Sequence, residues 1–122
     1  MSQGPRFEKL AAEAQGRVRE VSAAEAGEMV ESGALLVDVR EADEFAKEHA
    51  TGAKHLSRGV LELKIEEAAP NVEQPIVCYC GGGKRSALAA ESLQRMGYTN
   101  VASLIGGFKA WKGAGFEVEA ES

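Results

Sequence analysis

The sequence predicts one α/β domain, a three-layer α/β/α sandwich around a mostly parallel sheet of about five strands. Three observations predict it. Strand-like apolar runs alternate with segments of helical period along the whole chain. Residues 34–39 and 75–80 are apolar almost throughout, as expected of strands covered on both faces. A length of 122 residues with 44% hydrophobic content supplies one core and not two.

Residues 6–17 place Phe7, Leu10, Ala11 and Ala14 at helical spacing, with Val18 continuing it. They read as an N-terminal helix packed on the domain body. Residues 18–21 read as a short strand. Ser22 then precedes Glu25 by three, the capping-box spacing. The helix it starts should bury Ala26, Met29 and Val30 and stop at Gly33. Residues 34–39 form the first strong strand. Residues 41–48 form a helix presenting Phe45 and Ala46 inward, and 53–56 a weaker strand. Residues 60–68 form a helix ended by Pro70, with 69–75 as a surface loop. After the strand at 75–80, three glycines break the run. Residues 85–96 form a helix with Ala89, Ala90, Leu93 and Met96 on one face, and Gly97 stops it. Residues 101–105 form the last strand, and Gly106 and Gly107 turn the chain into a short helix carrying Trp111. The acidic tail, 117–122, is expected to fray. The chain divides into an N-terminal helical extension, 1–17, and the α/β domain, 18–119.

The net charge of −5 argues against nucleic-acid binding and against a polybasic membrane anchor. There is no stretch of 18 apolar residues and no signal-like start. Cys78 and Cys80 are too few and too close for a disulfide framework, so both are expected as free thiols. These features predict a soluble protein of the reducing cytoplasm, and a monomer is expected.

The chemistry gathers at one place. Cys80 ends a strand, Gly81, Gly82 and Gly83 follow, and Lys84, Arg85 and Ser86 open a helix. Ligands of open α/β sheets bind beyond the carboxyl ends of strands. Glycines let successive N–H groups turn inward as an anion nest. The helix start adds unpaired N–H groups, and the two cations add full charge. A thiol in that setting is favoured as thiolate, which makes Cys80 a candidate nucleophile. Residues 75–112 carry Lys84, Arg85, Arg95, Lys109 and Lys112 against Glu91, a local +4 inside an acidic chain. Cys78 reads as a buried, inert thiol. Position 78 lacks the glycine, and position 85 the Ser or Thr, of a Walker phosphate loop. Cys78, Cys80, His49 and His55 fit no zinc spacing, so no metal is expected. Asp38 and Arg40 read as supporting residues, Asp38 orienting loop N–H groups or pairing with a cation, Arg40 pairing with Glu44 four residues on. Arg58 reads equally as a pocket-rim or a surface arginine. Trp111 reads as core, and the two histidines as hydrogen-bonded structural residues.

Five segments in order resemble the rhodanese-like family of single-domain sulfurtransferases. Leu36-Val37-Asp38-Val39-Arg40-Glu41 with Glu44-Phe45 is similar to D-V-R-E-x-x-E-F/Y. Gly52-Ala53 matches the end of G-H-I-P-G-A, although this chain reads Glu48-His49-Ala50-Thr51 before it. Cys80 through Ser86 matches the active-site C-x-x-G-x-R-S. Gly97-Tyr98 with Val101, and Gly106-Gly107 with Trp111, match the two closing motifs. The resemblance spans 18–119 and implies a cofactor-free sulfurtransferase. In it Cys80 takes a sulfane sulfur from a small anion such as thiosulfate. The persulfide is cradled by the loop from Gly81 to Arg85 and passed to cyanide or a cellular thiol, with a sulfur-carrier protein as a further candidate partner. Many thiosulfate-using relatives carry a basic residue where this chain has Gly81; glycine there resembles the mercaptopyruvate-using branch. Two alternatives stand beside this reading. Phosphatases and arsenate reductases with a related loop have five residues between Cys and Arg, against four here. Non-catalytic binding modules of the family typically lack the cysteine.

Overall fold

Two strands set the layer plan. β2 (Leu35–Asp38) and β5 (Ile76–Tyr79) pair in parallel, with Leu35 opposite Ile76 and Asp38 opposite Tyr79. The computed structural model describes residues 4–121. Residues 1–3 of the expected extension and Ser122 of the tail lie outside the described residues. Around the central pair stand β1 (Arg19–Val21), β6 (Val101–Leu104) and β4 (Lys54–His55). The order is β1-β6-β5-β2-β4, with every pairing parallel. The sequence-predicted α/β architecture is the observed one, and β5 lies in the middle of the sheet.

Alternation along β5 assigns its side chains to opposite faces. Ile76, Cys78 and Cys80 join one core with Val37, Leu61, Ile65 and Leu93, under α4 (Leu61–Ala68) and α5 (Lys84–Arg95). Val77 and Tyr79 join the other, with Ala26 of α2 (Ala23–Glu31) and Trp111 of α6 (Gly107–Gly113). Cys78 and Cys80 therefore share a face.

The capping box of α2 is formed. Ser22 Oγ accepts from Glu25 N–H at 3.1 Å, and the Glu25 carboxylate accepts from Ser22 N–H at 2.9 Å. Such a cap contributes about 1 kcal/mol. Ala26 is fully buried, while Met29 and Val30 are half-buried. α1 (Pro5–Gln15) lies along α5, with Ala11 and Ala14 fully buried. Leu10, expected on that face, is exposed instead.

Three further expectations change. α3 (Ala42–Lys47) buries none of its residues fully. Phe45 is half-buried and stacks on His49 at 3.7 Å and His55 at 4.5 Å between ring centres. Two imidazoles, not the core, are what this six-residue helix has beside it. The tail is not frayed at 118–119: β7 (Val118–Glu119) pairs antiparallel with β3 (His49–Ala50). Two-residue strands are too short to show a period in sequence. Lastly, Arg40 pairs with Asp38 and not with Glu44.

That pair anchors a buried polar network. Asp38 is fully buried and Arg40 nearly so. Arg40 Nη2 donates to Asp38 Oδ2 at 2.8 Å and to the Glu48 carbonyl at 2.7 Å. Arg40 N–H donates to Asp38 Oδ1 at 2.9 Å. Tyr79 O–H donates to Asp38 Oδ2 at 2.6 Å, and its oxygen accepts from Ala50 N–H at 3.0 Å. Burial pulls the Arg40 guanidinium down, but hydrogen bonding and charge from Asp38 outweigh it and hold it above its ordinary value. Burial first, then the Asp38 contact, pushes the Tyr79 phenol up. Among the described residues no helix is long and apolar enough to cross a membrane.

Removing one partner of a buried ion pair strands the other. Asp38→Ala should destabilise the fold by about 3–5 kcal/mol, read as a fall in the urea midpoint.

Candidate active site

Between the end of β5 and the start of α5 the chain must reverse its hydrogen bonding. Cys80 to Gly83 make that turn. Gly83 caps α5 with φ +105°, and a Cβ there would stand 3.3 Å from Gly106 N and the Leu104 carbonyl. A residue with a side chain would be strained in that conformation. The turn aims N–H groups at the thiol: Gly83 N–H donates to Cys80 Sγ at 3.1 Å and Ser86 N–H at 3.3 Å. Ser86 Oγ lies 3.5 Å from the same sulfur and 2.8 Å from Ser103 Oγ, and both serines are fully buried.

The loop is backed from behind. Gly107 has φ +58°, and a Cβ on it would strike the Cys80 carbonyl and stand 2.6 Å from the carbonyl carbon of Gly81. Phe108 N–H donates to the Cys80 carbonyl at 2.7 Å. In front, Cys80, Gly82, Lys84 and Arg85 line an open cavity of about 320 Å³. Cys80 lines that cavity although it is only 1% exposed. The Arg85 guanidinium lies over the loop, Nη2 standing 3.1 Å from where a Cβ on Gly81 would be.

The local charge differs from the sequence expectation. Arg85 donates to both oxygens of Glu44, at 2.8 and 3.1 Å. That hydrogen bonding holds Glu44 below the usual carboxylate range and raises Arg85, to which the nearby Cys80 also contributes. Lys84 Nζ donates to both oxygens of Glu8 at 2.7 Å, and Lys112 pairs with Glu48 at 2.8 Å. Three of the five cations counted at 75–112 are thus met by carboxylates of α1 and the α3 segment.

The remaining sequence candidates separate. Asp38 and Arg40 hold each other beside Tyr79, one residue before Cys80. Arg58 pairs with Glu62 at 3.0 Å and does not line the cavity. Cys78 is fully buried, and burial pushes its thiol up to about 12. His49 Nδ1 meets the Phe45 carbonyl and His55 Nε2 the Arg40 carbonyl, each at 2.8 Å. Trp111 is buried and stacks on Phe116 at 4.4 Å. Sequence reasoning missed Glu8, Ser103 and Tyr79. A serine inside an otherwise apolar strand was the available signal for Ser103. Nothing local marks Glu8.

A cysteine at the carboxyl end of a central parallel strand, wrapped by a glycine turn and a helix start, sets a thiol among backbone N–H donors on an α/β sheet. The rhodanese-like domain profile matches residues 22–114, and the chain belongs to that family. A thiosulfate sulfurtransferase GlpE of Haemophilus influenzae is 41% identical over 93 residues, covering 76% of this chain and 87% of that protein. GlpE of Coxiella burnetii is 38% identical over 95 residues, covering 77% and 87%. Among solved structures, a Rhodopseudomonas palustris protein of unknown function, described as a possible tyrosine phosphatase, is 32% identical. Its TM-score is 0.79, and the match covers 98% of this chain and 96% of that one. A thiosulfate sulfurtransferase of Pseudomonas aeruginosa is 34% identical with a TM-score of 0.69, covering 94% of this chain and 19% of that one.

The two thiols should differ sharply in reactivity. Iodoacetamide at neutral pH should add one group to the folded protein, at Cys80, and a second, at Cys78, only after unfolding. Peptide mass spectrometry reads both.

Proposed function

We propose that this chain is a sulfurtransferase that carries a sulfane sulfur on Cys80. The observation that supports this reading most is the Cys80 sulfur itself, faced by the N–H groups of Gly83 and Ser86 in a residue that lines the cavity. The relatives that act on thiosulfate support a thiosulfate-type donor. In the first step the Cys80 thiolate attacks the outer sulfur of the donor. The bond from that sulfur to the sulfite group breaks, and its electron pair leaves on sulfite. The product is the Cys80 persulfide anion. In the second step cyanide or a thiolate attacks the outer sulfur, and the electron pair returns to Cys80. No proton moves in either step between anions, so no general base is required.

In this reading the loop from Gly81 to Arg85 cradles the persulfide, and Ser86 and Ser103 steady the sulfur from below. Asp38 and Arg40 hold the strand ends in place, and Arg58 stays outside the chemistry. Residues 18–119 form the catalytic domain. The protein works as a monomer in the cytoplasm, where reducing conditions keep Cys80 a thiol and supply the thiol acceptor, with a sulfur-carrier protein as a second class of acceptor. The loop has four residues between Cys80 and Arg85, a span better suited to one sulfur than to a tetrahedral oxyanion.

Intact-mass measurement after incubation with thiosulfate tests the reading. Wild type and Cys78→Ser should gain one sulfur atom, and Cys80→Ser should gain none. A gain that survives in Cys80→Ser and is lost in Cys78→Ser contradicts the assignment. Hydrolysis of an aryl phosphate that depends on Cys80 would support the phosphatase reading in its place.

A further inference from the structure

Two carboxylates reach the reaction loop from outside it. Glu44 comes from α3, within the family's matched residues, and Glu8 from α1, before they begin. Glu8 grips Lys84 with both oxygens at 2.7 Å, and Lys84 lines the Cys80 cavity. The grip is built into the packing of α1. Ala11 and Ala14 are fully buried, and Arg17, just past the helix, pairs with Glu91 of α5 at 3.0 Å. Glu8 meets the first residue of α5 and Arg17 meets its middle, so α1 runs parallel to α5 in a fixed register. That register sets Glu8 against Lys84, the first residue of α5.

We propose that Glu8 is a positioning residue that acts through Lys84 and sets the charge preference of the sulfur donor. The proposal rests on the sulfurtransferase reading. An incoming anion must compete with Glu8 for Lys84 and with Glu44 for Arg85. The negative charge of Glu8, held against Lys84 Nζ, opposes a dianion twice as strongly as a monoanion. Glu8 thereby lowers the site's preference for a dianion such as thiosulfate relative to a singly charged donor, and α1 is a working part of it. The absence of a basic side chain at Gly81 acts in the same direction.

Thiosulfate and the methanethiosulfonate anion make a matched pair of probes. In both, Cys80 takes the outer sulfur; sulfite leaves from the first and methanesulfinate from the second, so the donors differ by one charge. Steady-state KM and kcat with cyanide as acceptor are measured at low and high salt. Glu8→Gln should lower the KM for thiosulfate relative to that for methanethiosulfonate by about three- to tenfold, with kcat little changed. The effect should shrink as salt screens it. Glu8→Asp, which keeps the charge, should stay near wild type. Arg17→Gln loosens the far end of α1 without altering charge at the loop, and should leave the ratio unchanged. An unchanged ratio in Glu8→Gln overturns the proposal. So does an equal change in Arg17→Gln, which would make α1 a structural support only. If wild type transfers sulfur from neither donor, the sulfurtransferase reading itself fails, a result distinct from both.

Discussion

A carboxylate with no access to water must find its partners inside the protein, and Asp38 finds them at the end of β2. Its oxygens take up Arg40, the Arg40 backbone and the Tyr79 hydroxyl. Each partner extends the tie. Arg40 reaches the Glu48 carbonyl at the end of α3 and lies 4.5 Å from the ring centre of Phe108 in α6. Tyr79 reaches Ala50 in β3. One buried charge thus fixes the ends of β2 and β5, the helix that carries Glu44, and the helix whose first turn backs the loop. Cys80 follows Tyr79 directly, so the start of the loop is clamped before the loop begins.

The loop then has little freedom. Its amides are turned inward by Gly83, and Gly107 occupies the space behind it where any side chain would collide. A sulfur in that position is held by backbone dipoles that need no reorganisation when charge moves onto it. The cations that the sequence places there are present but engaged. Arg85 is held by Glu44 and Lys84 by Glu8, while the N–H groups of Gly83 and Ser86 face the sulfur directly.

What was legible in the sequence was local. The Ser22–Glu25 box, the apolar runs of β2 and β5, and the glycine turn after Cys80 all announce themselves within a few residues, and each stands where it was expected. The i,i+4 rule failed for Arg40 and Glu44 for a definite reason: it applies within a helix, and Glu41 is the cap of α3, which leaves Arg40 outside, on the bend that precedes it. From there its side chain turns back to Asp38. The contacts that adjust the site, Glu8 to Lys84 and Glu44 to Arg85, join residues 76 and 41 positions apart. No pattern within one segment encodes them. β3 and β7 escaped because two residues cannot display alternation.

The central claim is that the loop amides between Cys80 and Ser86 hold the transferred sulfur. An amide-resolved NMR titration of the nitrogen-15-labelled protein with thiosulfate tests it most directly. The account predicts that the amide resonances of residues 81–86 shift as the persulfide forms, Gly83 and Ser86 among them, while those of β1 and α2 stay in place. Persulfide formation that leaves the loop amides unmoved and shifts resonances elsewhere would contradict it.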